Sequence, residues 1–190
     1  MPPEPPAFRS GNTLTTTFTG TRTERHGTPV ERIPTPDRLM AWLDLQGLSV
    51  ASCSEEELRH AQELREEIHA AATAAATDHA LPRAAVRTLN EACSQGSASA
   101  ALEPSGRRQW RLGLPPTIQD ALRVVATDAV ALVSGERAGR LALCASPTCR
   151  AVFLDTSQSG TRRWCDMNSC GNRQKKARFR AQQKDSAVRT

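Results

Sequence analysis

The chain has 190 residues, enough for one domain of moderate size with a small appendage but not for two large domains. Its 38% hydrophobic and 24% charged composition is that of an ordinary globular protein, and no stretch approaches the roughly 18 apolar residues a membrane span requires. The N-terminus MPPEPPAFRSGN has neither a positive n-region nor an apolar h-region, so the expected location is the cytoplasm. The net charge of +5 is unevenly placed: residues 1–143 carry 15 basic and 17 acidic side chains, residues 144–190 carry 10 basic and 3 acidic. A cationic module joined to a near-neutral body seeks an anionic partner.

Residues 1–12, rich in proline and polar side chains, read as a flexible arm. Residues 13–138 read as a mainly helical domain, 139–184 as a second module and 185–190 as a tail. Helix signals begin at Pro36, with Asp37 as a cap, Leu39, Trp42, Leu43 and Leu45 as the apolar positions, and Gly47 as the stop. Ser54 and Glu57 have capping-box spacing, and Leu58, Ala61, Leu64, Ile68, Ala71 or Ala72, and Ala75 follow at helical period, predicting the longest helix, to near His79. His60, Glu63, Glu67 and His69 on it read as a solvated face. A third helix starts at Pro82, carries Ala85, Val86, Leu89 and Cys93, and ends before Gly96. Two alternating runs, Ala98–Leu102 and Gln109–Leu114, flank the turn-like EPSGR and predict a hairpin. Ile118, Leu122, Val125, Ala129 and Leu132 then define an amphipathic helix ending near Gly135. The expected fold class is mainly α with a small β-hairpin (α+β).

Cys53 and Cys93 stand alone and read as buried small hydrophobes, whereas Cys144, Cys149, Cys165 and Cys170 form C-x4-C, a gap of fifteen residues, then C-x4-C. Two thiol pairs at this separation can fold back on one another as a tetrahedral site for one structural Zn²⁺, whose preference for soft thiolates in closed four-coordination fits the set. Paired disulfides are the alternative, disfavoured in a chain without a secretory signal. Colour would separate iron from zinc. RLAL before Cys144, AVFLD after Cys149 and a run of good helix formers after Cys170 predict a knuckle with β flanks and a ligand-bearing helix, a treble-clef-like zinc module. So few apolar residues cannot build much core, and structural zinc contributes on the order of 10–16 kcal/mol in finger peptides. Four protein ligands leave no open position for a catalytic water, and no H-E-x-x-H or deaminase-type H-x-E motif is present, so no enzyme is expected.

On a helix from Cys170 to Lys184, Arg173, Lys176, Arg180 and Lys184 fall within about 80° of arc, with Lys175 and Arg178 as a second stripe. Arg162 and Arg163 extend the patch. Such a surface suits phosphate contacts on double-stranded DNA, and arginines at the helix start could reach guanine edges. A four-thiolate zinc site carries −2, and Arg173, next in space to Cys170, is the cation expected to offset it. The rival reading is a zinc-stabilised module that binds protein or RNA.

Cys144, Cys149, Trp164-Cys165 and the run Cys170, Gly171, Asn172, Arg173 resemble the CGNR zinc finger family, and the preceding order of helices, hairpin and helix resembles the ABATE domain that accompanies this finger. The resemblance implies a bacterial stress-induced transcription regulator, with the four cysteines as ligands, Asn172 and Arg173 as the signature, DNA binding by the finger, and dimerisation or sensing of an effector of unknown kind by the body. One departure is visible. Family members open with L-x-L-D-x-x-N-T, and LTTTFTGT here, Leu14 to Thr21, has Thr17 and Gly20 in place of the aspartate and asparagine.

Overall fold

The computed structural model describes residues 6–188, with side chains as far as Arg180 and at Gln182 and Gln183. Its centre is helix α3 (Glu55–Ala76), a 22-residue rod opened by the reciprocal Ser54/Glu57 capping box expected from the sequence. Helices α1 (Leu14–Thr19), α2 (Pro36–Leu45), α4 (Arg83–Ser94) and α5 (Ile118–Val133) surround it. Three two-stranded antiparallel hairpins complete the chain: β1 (Arg22–Thr23) with β2 (Val30–Glu31), β3 (Ser99–Leu102) with β4 (Arg108–Arg111), and β5 (Arg140–Leu143) with β6 (Val152–Asp155). A wide turn, Met167–Gly171, leads into α6 (Asn172–Val188). Among the described residues, no helix is long and apolar enough to cross a membrane.

The body has one core. Leu58, Leu64 and Ile68 of α3 meet Trp42 and Leu39 of α2, Phe18 of α1 and Ile118, Leu122 and Val125 of α5, all at most 3% exposed. The Phe18 and Trp42 rings lie 5.0 Å apart. Each such side chain contributes about 1.5–3 kcal/mol on burial. α3 also carries Arg65, only 1% exposed, whose guanidinium forms a double 2.7 Å bond to the Glu31 carboxylate and a 3.0 Å bond to Thr21 Oγ1. This buried charge persists because its donors are paired. Cys53 and Cys93 pack against the core but remain partly exposed, and burial, with Glu57 nearby, pushes the Cys53 thiol up to about 11.

Three features differ from the sequence-based expectation. The cap of α2 is Thr35, with Pro36 in the first turn and Asp37 beside it. α1 carries four threonines in six residues and has poor intrinsic propensity; it forms because Asp128 of α5 accepts from Thr15 N and Thr15 Oγ1, at 2.8 and 2.6 Å, while Arg137 pairs with the same carboxylate. The described part of the expected loose arm is tied down: Arg32 Nε donates to the Ala7 carbonyl at 2.8 Å, Arg38 stacks over the Phe8 ring at 4.1 Å, and Asn12 Nδ2 donates to the Leu154 carbonyl at 2.7 Å. These are long-range contacts that local composition does not encode.

Two carboxylate and imidazole positions generate predictions. Asp120 caps α5 with Thr117 and also gathers the loop around β3 and β4, accepting from the Ser97, Gly113 and Thr117 N–H groups at 2.5, 3.2 and 2.9 Å. Burial alone would raise its pKa, but these donors outweigh burial and lower it. Its stability contribution is therefore complete above the ordinary aspartate range and lost as pH falls through the lowered folded value. Asp120→Ala orphans three backbone donors and should cost about 3 kcal/mol, seen as a lower urea midpoint at unchanged slope. His69, expected on the solvated face, is instead half-buried where α3 meets the C-terminal module, with Nε2 3.3 Å from the Arg150 carbonyl. Burial first, then the Arg25 guanidinium, depresses its pKa to about 4. A histidine buried neutral contributes fully above pH 6.5 and loses that contribution as pH falls towards 4. Between pH 7 and pH 4.5 the wild type should lose about 2 kcal/mol more than His69→Gln, read by urea titration of both at each pH.

Candidate metal centre

Each cysteine reaches the centre on a different local device. β5 and β6 pair in the register Leu143↔Val152 and Ala142↔Phe153, and Cys144 N continues the ladder to the Ala151 carbonyl at 2.8 Å. Between them the chain turns back at Ser146–Arg150, where Cys149 N donates to the Ser146 carbonyl and Arg150 adopts φ 49°, so the two thiols of the knuckle point the same way. The buried Asp155 carboxylate, 2% exposed, accepts from Ser157 N, Ser157 Oγ and Arg162 N and folds the following loop back. Ala145 N then meets the Arg163 carbonyl at 2.8 Å, placing Trp164-Cys165 beside the knuckle. Asp166 caps the wide turn by accepting from Ser169 N at 2.8 Å, which delivers Cys170.

The four Sγ atoms all lie within 4.8 Å of one another, with Cys149 to Cys165 and Cys165 to Cys170 both 3.7 Å. Zn–S bonds of about 2.3 Å in a tetrahedron put sulfurs about 3.8 Å apart. The set fits zinc, and Cys144, Cys149, Cys165 and Cys170 would hold it as one structural ion with its coordination filled. Cys144, Cys149 and Cys170 are fully buried and Cys165 is half-buried. Gly171 is buried against the wide turn: a Cβ there would sit 2.2 Å from Met167 Sδ and 3.3 Å from Trp164 Cδ1, so the exposed Met167 side chain would have to move.

The cations sort into two groups. Arg9, which nothing in the sequence singled out, lies near Cys165, Cys170 and Cys149; burial works against its charge, but the thiols hold its pKa above the ordinary value. Arg9 thus joins Arg173, whose pKa is raised by Glu24 first and by Cys170 and Cys149 as well, in facing the thiols. Arg173 also reaches across to the body, where Glu24 receives it at 2.7 and 2.9 Å while also accepting from Thr148 Oγ1 at 2.7 Å. Glu24 stands in the left-handed conformation, φ 54°, and its pKa is lowered mainly by Arg173. Arg162, although exposed, is engaged by the fold as well: it donates to the Trp164 and Cys165 carbonyls and stacks over Phe153 at 4.9 Å. Arg163, Lys175, Lys176, Arg178 and Arg180 are exposed, Arg163 lying over Trp164 at 5.2 Å. Asn172 donates from Nδ2 to the Asn168 carbonyl at 3.3 Å. The side chain of Lys184 lies outside the described residues. In the stretch that departs from the family pattern, Thr17 Oγ1 donates to the Thr13 carbonyl at 2.8 Å, and Gly20 closes α1 and lines a cavity of about 180 Å³ with Arg9, Asn12, Thr16 and Arg162.

Purified protein should carry one zinc per chain by mass spectrometry, and Cys165→Ser or chelation should abolish it. Hydrogen exchange should then show β5, β6 and the start of α6 losing protection while α3 to α5 keep theirs.

Two family models match the chain. One, ABATE, described as "Putative stress-induced transcription regulator", covers residues 12–136; the other, the CGNR zinc finger, covers residues 140–183. No curated protein matches it. With two thirds of its length in the first match and its four converging thiols in the second, the chain belongs to the ABATE family and bears a CGNR zinc finger at its C-terminal end.

Proposed function

We propose that the protein is a zinc-dependent transcription regulator that binds double-stranded DNA through α6 and acts in the cytoplasm. The observation that carries this reading is the outward half of the cation set. α6 is 17 residues, about 25 Å, and packs chiefly on the Met167–Gly171 turn, so it projects from the module. From Asn172 to Gln183 it holds five cations and no acidic residue. A helix that is polar all round and unsupported by a core is suited to a partner surface, and the phosphate backbone supplies the complementary charge.

A single helix offers a small footprint. A homodimer through the helical body would bring two fingers to one site, raising affinity through effective concentration and fixing half-site spacing. The body would then serve as dimerisation unit, with the Glu24–Arg173 pair holding the finger helix in a set orientation to it.

Binding of the zinc-loaded chain to random-sequence duplex DNA should weaken steeply as salt rises, and Cys165→Ser should not bind. Arg178→Ala and Arg180→Ala should each flatten the salt slope by about one unit. Arg162→Ala, whose guanidinium is turned onto carbonyls, should leave the slope unchanged. Sedimentation in the same titration should show two chains per short duplex. Zinc-loaded protein that ignores DNA at low salt would overturn the reading in favour of a protein or RNA partner.

A further inference from the structure

α6 carries one large apolar side chain that its own fold does not use. Phe179 is 61% exposed, although it sits between Arg178 and Arg180 in the middle of the projecting helix. A lone exposed aromatic needs no explanation in itself. What distinguishes this one is its company. At 100° per residue Asn172, Lys176, Phe179 and Gln183 fall within about 60° of arc, a single stripe at i, i+4, i+7 and i+11. All four are exposed. Gln174, the half-buried residue of the first turns, lies on the opposite side, so the stripe faces away from the module. Lys175 and Arg180 flank it on either side.

That order, two amides, an aromatic and Lys176 along the centre with cations on both shoulders, matches the cross-section of a major groove. The groove is about 12 Å wide and admits a helix; its floor presents base edges and its walls present phosphates. Asn and Gln amides pair with the N6 and N7 of adenine, and an apolar side chain packs on the 5-methyl of thymine. The Asn172 amide uses one N–H on Asn168, leaving Oδ1 and the second N–H for a base. Resting on the duplex-DNA reading above, we infer that α6 reads sequence through this stripe, with Phe179 contacting thymine methyl groups and Asn172 and Gln183 contacting adenine, so that the preferred site contains A·T pairs. Lys175 and Arg180 hold the flanking phosphates and carry no sequence information.

The test uses full-length zinc-loaded protein and a duplex selected by it from a random-sequence pool. Each thymine of that duplex is replaced in turn by uracil, which removes only the 5-methyl, and affinity is measured for wild type and Phe179→Ala at fixed salt. At one or two positions uracil should weaken wild type by about fivefold. Phe179→Ala should bind the parent duplex about as weakly as wild type binds its uracil form, should not distinguish thymine from uracil there, and should keep the wild-type salt slope. Circular dichroism and zinc content of the variant should match wild type, since the side chain is exposed. If Phe179→Ala keeps the wild-type preference for thymine, or if selection yields no A·T preference, the stripe is not the reader, while a steep salt slope would still uphold phosphate binding. If no duplex is retained at any salt, or only single strands or RNA are, the DNA reading fails and this inference fails with it.

Discussion

Four cysteine sulfurs within 4.8 Å of one another are the constraint on which the C-terminal module depends. Without a cation at the centre the thiols would hold their protons and no bond would tie the knuckle to the wide turn, and the module has few large apolar side chains to do so instead. Zinc replaces a hydrophobic core there. The hairpin β5–β6, the Asp155-held loop and the Asp166 cap are each a means of delivering sulfur to one point.

A zinc tetrathiolate retains negative charge, and the molecule answers it from the far end of the chain. Arg9 lies near three of the ligands, which brings the segment before α1 into the finger's electrostatics. Arg173 feels two of the same thiols while it pairs with Glu24, and the remaining cations of α6 are turned to solvent. Of the arginines and lysines crowded between residues 162 and 180, Arg162 and Arg173 are engaged by carbonyls and a carboxylate of the fold, whereas Arg163 and the cations farther along the helix are exposed.

The body and the finger meet through an apolar seam, where α3 and α1 pack on the buried Ala142, Val152 and Leu154 of β5 and β6, and through polar bridges. Glu24 bridges Thr148 of the knuckle and Arg173 of α6, His26 N donates to the Thr148 carbonyl at 3.0 Å, and His69 faces Arg150. Such polar contacts are directional, so together with the packed strands they set the angle at which α6 leaves the body. An altered body would be felt at the helix through Glu24.

Much of this was legible in the sequence. Periodic apolar positions and capping residues determine α3, α4 and α5, because those helices answer to local spacing and one buried face; the cysteine spacing determines the ligand set, because a tetrahedron of sulfurs admits few loop lengths. Tertiary structure alone decided the rest. α1 exists because Asp128 reaches it from α5, the arm is held by Arg32 and Arg38, and His69 is covered by a module some eighty residues away in the chain. The division of the arginines was decided the same way. Arg9, Arg162, Arg163 and Arg173 are alike in composition and charge, and only the folded positions of a carboxylate, of nearby carbonyls or of the thiols determine which of them the protein engages and which it leaves facing solvent.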